Sequence, residues 1–491
     1  MSAEQPPDSN RVVKQFLPEV LDKTVIALPL QKLIDEQPDA LHDVIIDLNL
    51  EFPKGRGAAQ QQIRKYIKQA QRKLGVREGQ VEEPEADVRH QYVFATLNGK
   101  VIRELARLDG EAKVRAIYRI WPDFDVSAFI TRSIATVKAD AARNSFSALG
   151  ESITWAVLDT GIDATHKHFE QNGNLKGPVQ HRDFTQLDDQ TGEPLKDPNG
   201  HGTHVAGILA GQRRAMNGEK LRIVEIHRDE NNDIVPKIID DIDTISGVAP
   251  KCWLVSLRVL NQDGKGKVRN IIRALDYVQE VNGNGRRLHI HGVNLSLGHS
   301  FEPEWFACGQ SPLCVEVERL VRSGVVVVVA AGNTGYGSFD LPTGASFSSG
   351  MGLSINDPGN ADLAITVGST HRYMPHVYGV SYFSSKGPTG DGRLKPDLVA
   401  PGEKIISCAT GKLKLDAARG QECDYVETSG TSAAAPHVSG AIAAFLSIRG
   451  EFIGKPERVK EIFTSTATDL KRDRYFQGAG LVDLMRAIQS V

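Results

Sequence analysis

Long apolar runs, cysteines and an excess of charge of either sign are all scarce in this 491-residue chain. The longest apolar run, residues 324–331, is far too short to cross a membrane and is typical of a buried parallel strand. Lys and Arg number 58 against 61 Asp and Glu, a net charge of −3. Such a balance argues against a nucleic-acid or anionic-membrane partner recruited by bulk charge, so we expect an ordinary globular protein with neither partner.

The five cysteines are too few for a disulfide scaffold in a chain of this length. Cys308 and Cys314 are close in sequence, as are Cys408 and Cys423, and could pair in an oxidising compartment. Reduced thiols, with Cys252 buried in a strand, are the favoured interpretation, and no Cys/His spacing resembles a zinc site. The first twenty residues contain no apolar stretch typical of a signal peptide, which predicts a cytoplasmic protein, or a secreted one if a leader is missing.

Two regions of the chain differ in pattern, and we predict a domain over 1–124, a linker over 125–150 and a second domain over 151–491. In the first, strand and helix patterns alternate from residue 42 to 124, with room for a weak strand within 77–90, as in a small α+β domain with split βαβ units. From Ile153 onward, apolar strands alternate with helices, which include helices predicted over 201–213 and 268–281. This alternation predicts an α/β fold with a doubly wound, mostly parallel sheet whose functional residues lie at the carboxyl ends of the strands.

Three motifs in the second region supply a carboxylate, an imidazole and a hydroxyl. They are TWAVLDTGID at 154–163, NGHGTHVAGILAG at 199–211 and GTSAAAPHVSG at 430–440. Asp159 ends a strand, and His201 opens a helix after the breaker pair Asn199–Gly200. Ser432 opens another helix, with Pro436 predicted in its first turn. The order Asp, His, Ser is one of three unrelated orders that build a nucleophile, a base and an orienting group. We predict that Ser432 attacks a carbonyl, His201 takes its proton, and Asp159 holds the imidazolium.

An oxyanion formed by this attack needs preorganised hydrogen-bond donors. Asn333 follows the most buried strand and offers a side-chain amide, and the backbone N–H of Ser432 offers a second donor at a helix start. Taken singly, Asp159 could be a turn residue, His201 a core histidine, Ser432 an N-cap and Asn333 a left-handed turn residue. Their joint occurrence in one order on matching elements favours the enzymatic interpretation.

These motifs resemble the subtilisin-like serine peptidases, and the resemblance covers most of residues 151–491. SLG at 296–298, AAGN at 330–333 and the segment 383–402 extend it. The resemblance implies a serine endopeptidase. It also implies that 296–298 and 264–266 flank the substrate backbone, while 330–332 form one wall of the pocket for the residue before the scissile bond, near Asn356. The implied substrate-binding residues are Ser296, Leu297, Gly298, Gly264, Gly266, Ala330, Ala331, Gly332 and Asn356.

The same resemblance implies that residues 42–124 are similar to the ferredoxin-like propeptides of this family, which assist folding and then block the cleft. We therefore expect a self-inhibited zymogen, cut within residues 122–135, with its own N-terminal domain as intramolecular inhibitor and proteins or peptides as substrates. Residues 212–250 form an insertion, predicted to contain a hairpin around ENND, that replaces the loop of the strong calcium site in many relatives. No cofactor or metal is predicted. Calcium at the acidic run Asp240, Asp241 and Asp243 is left as an alternative to a solvated loop.

Two other interpretations compete with a peptidase. An esterase of the α/β-hydrolase type would need GxSxG and the order Ser, Asp, His, and neither is present. A catalytically silent regulatory protein, with its cleft permanently occupied by the N-terminal domain, would keep the same fold. The complete set Asp159, His201, Ser432 and Asn333 argues against a decayed site, while a cleft kept permanently closed by the N-terminal domain stays open as the alternative.

Overall fold

The computed structural model describes most of the chain after residue 24. The described residues are 25–76, 79–81, 92–123, 132–186, 192–216, 219–228, 234–240, 242–304, 307–340 and 346–491. They form two compact units, one from residues up to 126 with Ser145–Ser147 and one from residues 127–144 with 148–491. No helix in the described ranges is long and apolar enough to cross a membrane.

The first unit is an antiparallel sheet with helices. Its elements are α1 (Leu28–Glu36), β1 (Leu41–Leu48), α2 (Gly55–Leu74), β2 (Gln80–Val81), β3 (Tyr92–Asn98), α3 (Gly99–Gly110) and β4 (Ile117–Pro122). The strand order β2-β3-β1-β4 and the chain order βαββαβ are those of a ferredoxin-like domain, as predicted. The alternating buried residues of β1, Val44, Ile46 and Leu48, pack with apolar residues of the helices in a core of this unit's own.

The second unit contains the remaining elements, apart from Ser145 and Phe146 at the end of one helix. Its helices are α4 (Arg132–Thr136), α5 (Ala139–Phe146), α6 (His201–Leu209), α7 (Val268–Val281), α8 (Pro312–Arg322), α9 (Pro375–Tyr378), α10 (Gly411–Ala418), α11 (Thr431–Leu446), α12 (Pro456–Ser465), α13 (Arg474–Gln477) and α14 (Leu484–Gln489), with 3₁₀ turns at Lys167–Phe169 and Gly450–Phe452. Its strands are β5 (Thr154–Asp159), β6 (Arg182–Asp183), β7 (Gln212–Arg214), β8 (Ile223–Arg228), β9 (Ile234–Ile239), β10 (Thr244–Ser246), β11 (Trp253–Arg258), β12 (Gly292–Leu295), β13 (Val326–Ala330), β14 (Tyr336–Asp340), β15 (Ser346–Gly350), β16 (Ile365–His371), β17 (Leu398–Glu403), β18 (Ile405–Cys408) and β19 (Tyr425–Thr428).

The central sheet has seven strands in the order β17-β16-β13-β12-β5-β11-β6, and every pair in it is parallel. The strands β5 and β13 are buried along their whole length, which explains why their sequences are continuous apolar runs rather than an alternating pattern. Because the strands are parallel, their carboxyl ends share one edge. Asp159 ends β5 there, and Asn333 follows β13 by three residues.

A second, four-stranded sheet has the order β18-β19-β8-β9. The hairpin predicted within 212–250 exists as the antiparallel pair β8 and β9, with its turn outside the described residues. Its strand β8 pairs in parallel with β19, at Ile223 with Tyr425 and Val224 with Val426. The insertion therefore extends the sheet whose strand β19 ends two residues before Gly430.

Three sequence-based details were wrong. The helix predicted from His201 to 213 ends at Leu209, and 212–214 is strand β7, because this segment pairs with β10. Pro436 lies well inside α11, not in its first turn. Cys252 is buried but precedes β11, and all five cysteines are free.

Candidate active site

Asp159 and His201 are joined by a hydrogen bond. The Nδ1 atom of His201 lies 2.7 Å from Oδ1 of Asp159, which also accepts from the backbone N–H of Thr160 at 2.8 Å. The carboxylate is 1 % exposed, whereas the imidazole is 34 % exposed. Because an ionised carboxylate can only accept, the contact places the proton of the neutral ring on Nδ1 and leaves Nε2 as the basic atom.

A second buried carboxylate, Asp197, fixes the start of helix α6. Its Oδ1 accepts from Gly200 N–H and Thr160 Oγ1, and its Oδ2 accepts from the N–H and the hydroxyl of Thr203, all at 2.7–2.8 Å. Thr160 Oγ1 in turn accepts from Gly202 N–H at 2.9 Å. Asp197 therefore binds the N–H groups that the first turn of a helix leaves unpaired, on both sides of His201.

The two carboxylates set the acidity of His201. Burial opposes protonation of the ring, but attraction to Asp159, the hydrogen bond with it, and attraction to Asp197 outweigh burial and raise the pKa of His201 above its usual value. Its Nε2 makes no hydrogen bond within the described part of the chain, including none with Ser432 Oγ. A raised pKa and a free Nε2 suit a base that must hold a proton during turnover.

Ser432 and Asn333 face a common point. A Cβ on Gly430 would lie 3.0 Å from Ser432 Oγ and 3.4 Å from Asn333 Nδ2, so the absent side chain of Gly430 leaves a space bounded by a hydroxyl and an amide. The Oδ1 atom of Asn333 accepts from the N–H and the hydroxyl of Thr431, at 2.9 and 3.0 Å. Because Thr431 occupies the oxygen end of the amide, the donating Nδ2 end is directed away from Thr431.

Ser296 contacts Ser432 and, together with His201, lines a cavity at the carboxyl edge of the central sheet. Pro436 has no N–H, so the carbonyl of Ser432, four residues earlier in α11, loses its helical partner. The hydroxyl of Ser296 donates to this carbonyl at 2.8 Å and accepts from Asn294 Nδ2 at 2.8 Å. Asn294 Oδ1 accepts from Ser439 Oγ at 2.9 Å. These hydrogen bonds connect Asn294 of β12 to helix α11 on both sides of Pro436.

A cavity of about 900 Å³ extends from His201 along this edge of the sheet. Five of the predicted substrate-binding residues line it, namely Gly264, Gly266, Ser296, Leu297 and Gly298. The other four form a separate group. The backbone N–H of Asn356 donates to the carbonyl of Ala331 at 3.0 Å, Ala330 ends β13, and a Cβ on Gly332 would lie 2.7 Å from the side chain of Asn356.

The described residues contain no group of three or more His, Cys, Asp or Glu side chains that could hold a metal ion. Of the acidic run in the insertion, Asp240 pairs with Lys220 at 3.2 Å, and Asp241 lies outside the described residues.

Comparison with known proteins identifies the family. The model of the subtilase family matches residues 150–481. The chain belongs to the subtilase family. It is 29 % identical over 385 residues to the serine protease AprX of Bacillus subtilis (76 % of this chain, 74 % of AprX) and 28 % identical over 395 residues to subtilisin E of the same species (80 % of each chain). It is 32 % identical over 334 residues to pyrolysin of Pyrococcus furiosus, which covers 59 % of this chain and 21 % of pyrolysin. This subtilase is a subtilisin-like serine protease with the α/β fold predicted for it.

Two residues of this subtilase's site were missed by sequence reasoning. Asp197 stands four residues before His201, and an Asp ahead of the breaker pair Asn199–Gly200 is a recognisable helix-start signal. Thr431 is adjacent to Ser432, but its contact with Asn333 joins residues 98 positions apart and has no local signal.

Proposed function

We propose that this subtilase hydrolyses peptide bonds with Ser432 as nucleophile, His201 as general base and acid, and Asp159 as the group that orients and stabilises the imidazolium. The 2.7 Å contact between His201 Nδ1 and Asp159 Oδ1 carries the proposal, because it leaves Nε2 as the basic nitrogen. Ser432, at the start of helix α11, is joined through Ser296 to the cavity that His201 also lines. The family indicates the class of reaction, and the contact supports the roles proposed for His201 and Asp159.

The proposed reaction has two halves. Ser432 Oγ attacks the peptide carbonyl as His201 Nε2 takes the hydroxyl proton, and the amine leaves with that proton, giving an acyl-enzyme. Water then attacks the ester, again with His201 as base, and releases the acid and the free serine. In both halves the negative oxygen accepts hydrogen bonds from Asn333 Nδ2 and the backbone N–H of Ser432, and the hold of Thr431 on Asn333 Oδ1 supports this assignment.

Substrate binding is proposed at the cavity edge formed by 264–266 and 296–298. The backbone groups of Leu297 and Gly298 make no hydrogen bond within the described ranges, and a Cβ on Gly298 would lie 2.7 Å from the carbonyl of Asp357. Free backbone groups at a sheet edge can pair with an extended peptide. Ala330, Ala331, Gly332 and Asn356 are proposed as the wall of the pocket for the residue before the scissile bond.

Comparing the wild-type chain with Ser432→Ala tests these roles. Turnover of an internally quenched peptide should fall to background in Ser432→Ala and in His201→Ala, and should persist in Ser447→Ala, a serine near the opposite end of helix α11. Turnover retained by Ser432→Ala would refute the assigned nucleophile.

For the N-terminal region we propose a propeptide that acts as an intramolecular inhibitor, with a domain over 1–124 and a linker over 125–150. Its ferredoxin-like topology and separate apolar core support the proposal, as does the start of the family match at residue 150. Intact-mass analysis should find the wild-type chain shortened by a cut within 122–135 and Ser432→Ala intact. An active wild-type chain with its N-terminus still attached would reject the zymogen. The cytoplasmic location stays a prediction.

A further inference from the structure

Three cationic side chains line the cavity that extends from His201. Lys265, Lys267 and Arg269 are exposed, and none of them is in an ion pair within the described residues. Asp263 is the one carboxylate among the described residues that line this cavity. Some exposed cations elsewhere on this unit do have partners, such as Lys196 with Glu193 at 2.6 Å and Arg322 with Glu318 at 2.8 Å. The described residues that line the cavity therefore carry a net positive charge.

The backbone adds to this positive charge. Lys267 is extended, with φ −110° and ψ 143°, and precedes helix α7. Its side chain supplies no oxygen to the first turn of the helix, and that turn contains no acidic residue. The first N–H groups of the 14-residue helix thus lie beside the three cations, and the positive end of the helix dipole reinforces them.

The floor of the same cavity is apolar. Ile271 is 6 % exposed and Leu313 is fully buried, and Val268 and Leu297, both half-buried, complete the floor. An apolar floor accepts an apolar side chain, whereas the rim formed by Lys265, Lys267 and Arg269, here named the cationic rim, attracts carboxylates.

We propose that the cationic rim selects acidic substrates. The preferred peptide carries Glu or Asp beside an apolar residue, in the segment that lies between 264–266 and 296–298. The inference rests on the proposed function, because the cavity is taken as the place where the substrate backbone binds. It goes beyond that function by assigning a substrate class to three residues of this chain.

A set of matched internally quenched peptides tests the cationic rim. Every peptide contains the same apolar residue. In each peptide a single position, between five residues before and three residues after the scissile bond, carries Glu, Gln or Lys. An exposed ion pair changes affinity by about 1.5- to 5-fold, so a Glu within reach of the cationic rim should raise kcat/KM by about that factor over Gln at 20 mM salt, and Lys should lower it. At 0.5 M salt this ratio should approach 1, because screening shortens the range of exposed charges to a few ångströms.

The triple variant Lys265→Gln/Lys267→Gln/Arg269→Gln should bring the Glu-to-Gln ratio of kcat/KM close to 1 at low salt. The matched control Lys176→Gln/Arg287→Gln/Lys455→Gln removes three exposed cations that do not line the cavity and should keep the wild-type ratio. Equal turnover of Glu and Gln peptides by the wild-type enzyme, or a ratio that survives in the triple variant, would overturn the inference and leave the proposed function standing. An enzyme that cleaves no peptide of the set and leaves a denatured protein uncut would overturn both.

Discussion

Replacement of Asp197 by Asn probes how the start of helix α6 prepares His201. The carboxylate is 5 % exposed and accepts four hydrogen bonds, two on each oxygen. An Asn side chain keeps one oxygen and turns an NH₂ group toward one N–H and one hydroxyl. The hydroxyl can rotate to accept from the NH₂ group, but the N–H is left unpaired, and one orphaned buried donor costs about 1–3 kcal/mol.

Part of this cost is offset. Burial raises the pKa of Asp197, despite its hydrogen bonds with Gly200, Thr203 and Thr160, because the charged carboxylate loses hydration on folding. The uncharged amide of Asn avoids this desolvation cost. We expect Asp197→Asn to lower the free energy of unfolding by about 2 kcal/mol, measured by denaturant titration in the Ser432→Ala background to prevent self-digestion.

The same replacement should move the pH profile. As the proposed general base, His201 must be neutral to accept a proton, so we expect activity to fall as the pH drops through the pKa of His201. Attraction to Asp197 helps to raise that pKa, hence its loss should shift the acid limb of kcat/KM to lower pH.

Asp183→Asn is the matched control. Asp183 is 2 % exposed and accepts from Thr185 and Glu193, but it does not contribute to the pKa of His201. It should destabilise the fold and leave the acid limb in place. An unchanged acid limb in Asp197→Asn, or an equal shift in Asp183→Asn, would refute the reasoning.

Three further substitutions test the other parts of the site. Asn333→Ala should lower kcat about 10²- to 10³-fold with little change in KM in steady-state assays, which is the range already known for an asparagine donor of this kind in subtilisin; a loss under 5-fold would contradict the assigned donor. Ser296→Ala leaves the carbonyl of Ser432 without a donor and should cost about 1–3 kcal/mol in denaturant unfolding, and a cost near zero would show that the bond is dispensable. Gly430→Ala places a Cβ 3.0 Å from Ser432 Oγ and 3.4 Å from Asn333 Nδ2, within the space proposed for the oxyanion. We expect kcat to fall more than about 10-fold while the circular dichroism spectrum stays native. A kcat equal to that of the wild type would contradict the proposed oxyanion space.

The elements that sequence reasoning predicts well are those with a strong local pattern. The helix over 268–281 and the buried strand ending at Asp159 agree with the structure, because an amphipathic period and a continuous apolar run are local signals. The order of the four catalytic candidates along the chain also needs no tertiary information, although their roles stay predictions.

The elements that sequence reasoning misses depend on distant partners. The local sequence predicts the hairpin of β8 and β9. It does not predict the sheet that this hairpin joins, because the parallel pairing of β8 with β19 joins residues about 200 positions apart. The sequence does predict that the carbonyl of Ser432 lacks a helical donor, because Pro436 has no N–H. Only the fold shows that the hydroxyl of Ser296 donates to this carbonyl instead.

Covalent labelling with a fluorophosphonate, mapped by mass spectrometry, tests the central claim most directly. A serine activated by His201 and Asp159 should give one stoichiometric adduct on the peptide that contains Ser432, and Ser432→Ala should give none. A wild-type chain that hydrolyses peptides while its adduct maps to another residue, or a chain freed of residues 1–125 that takes up no label, would contradict the account.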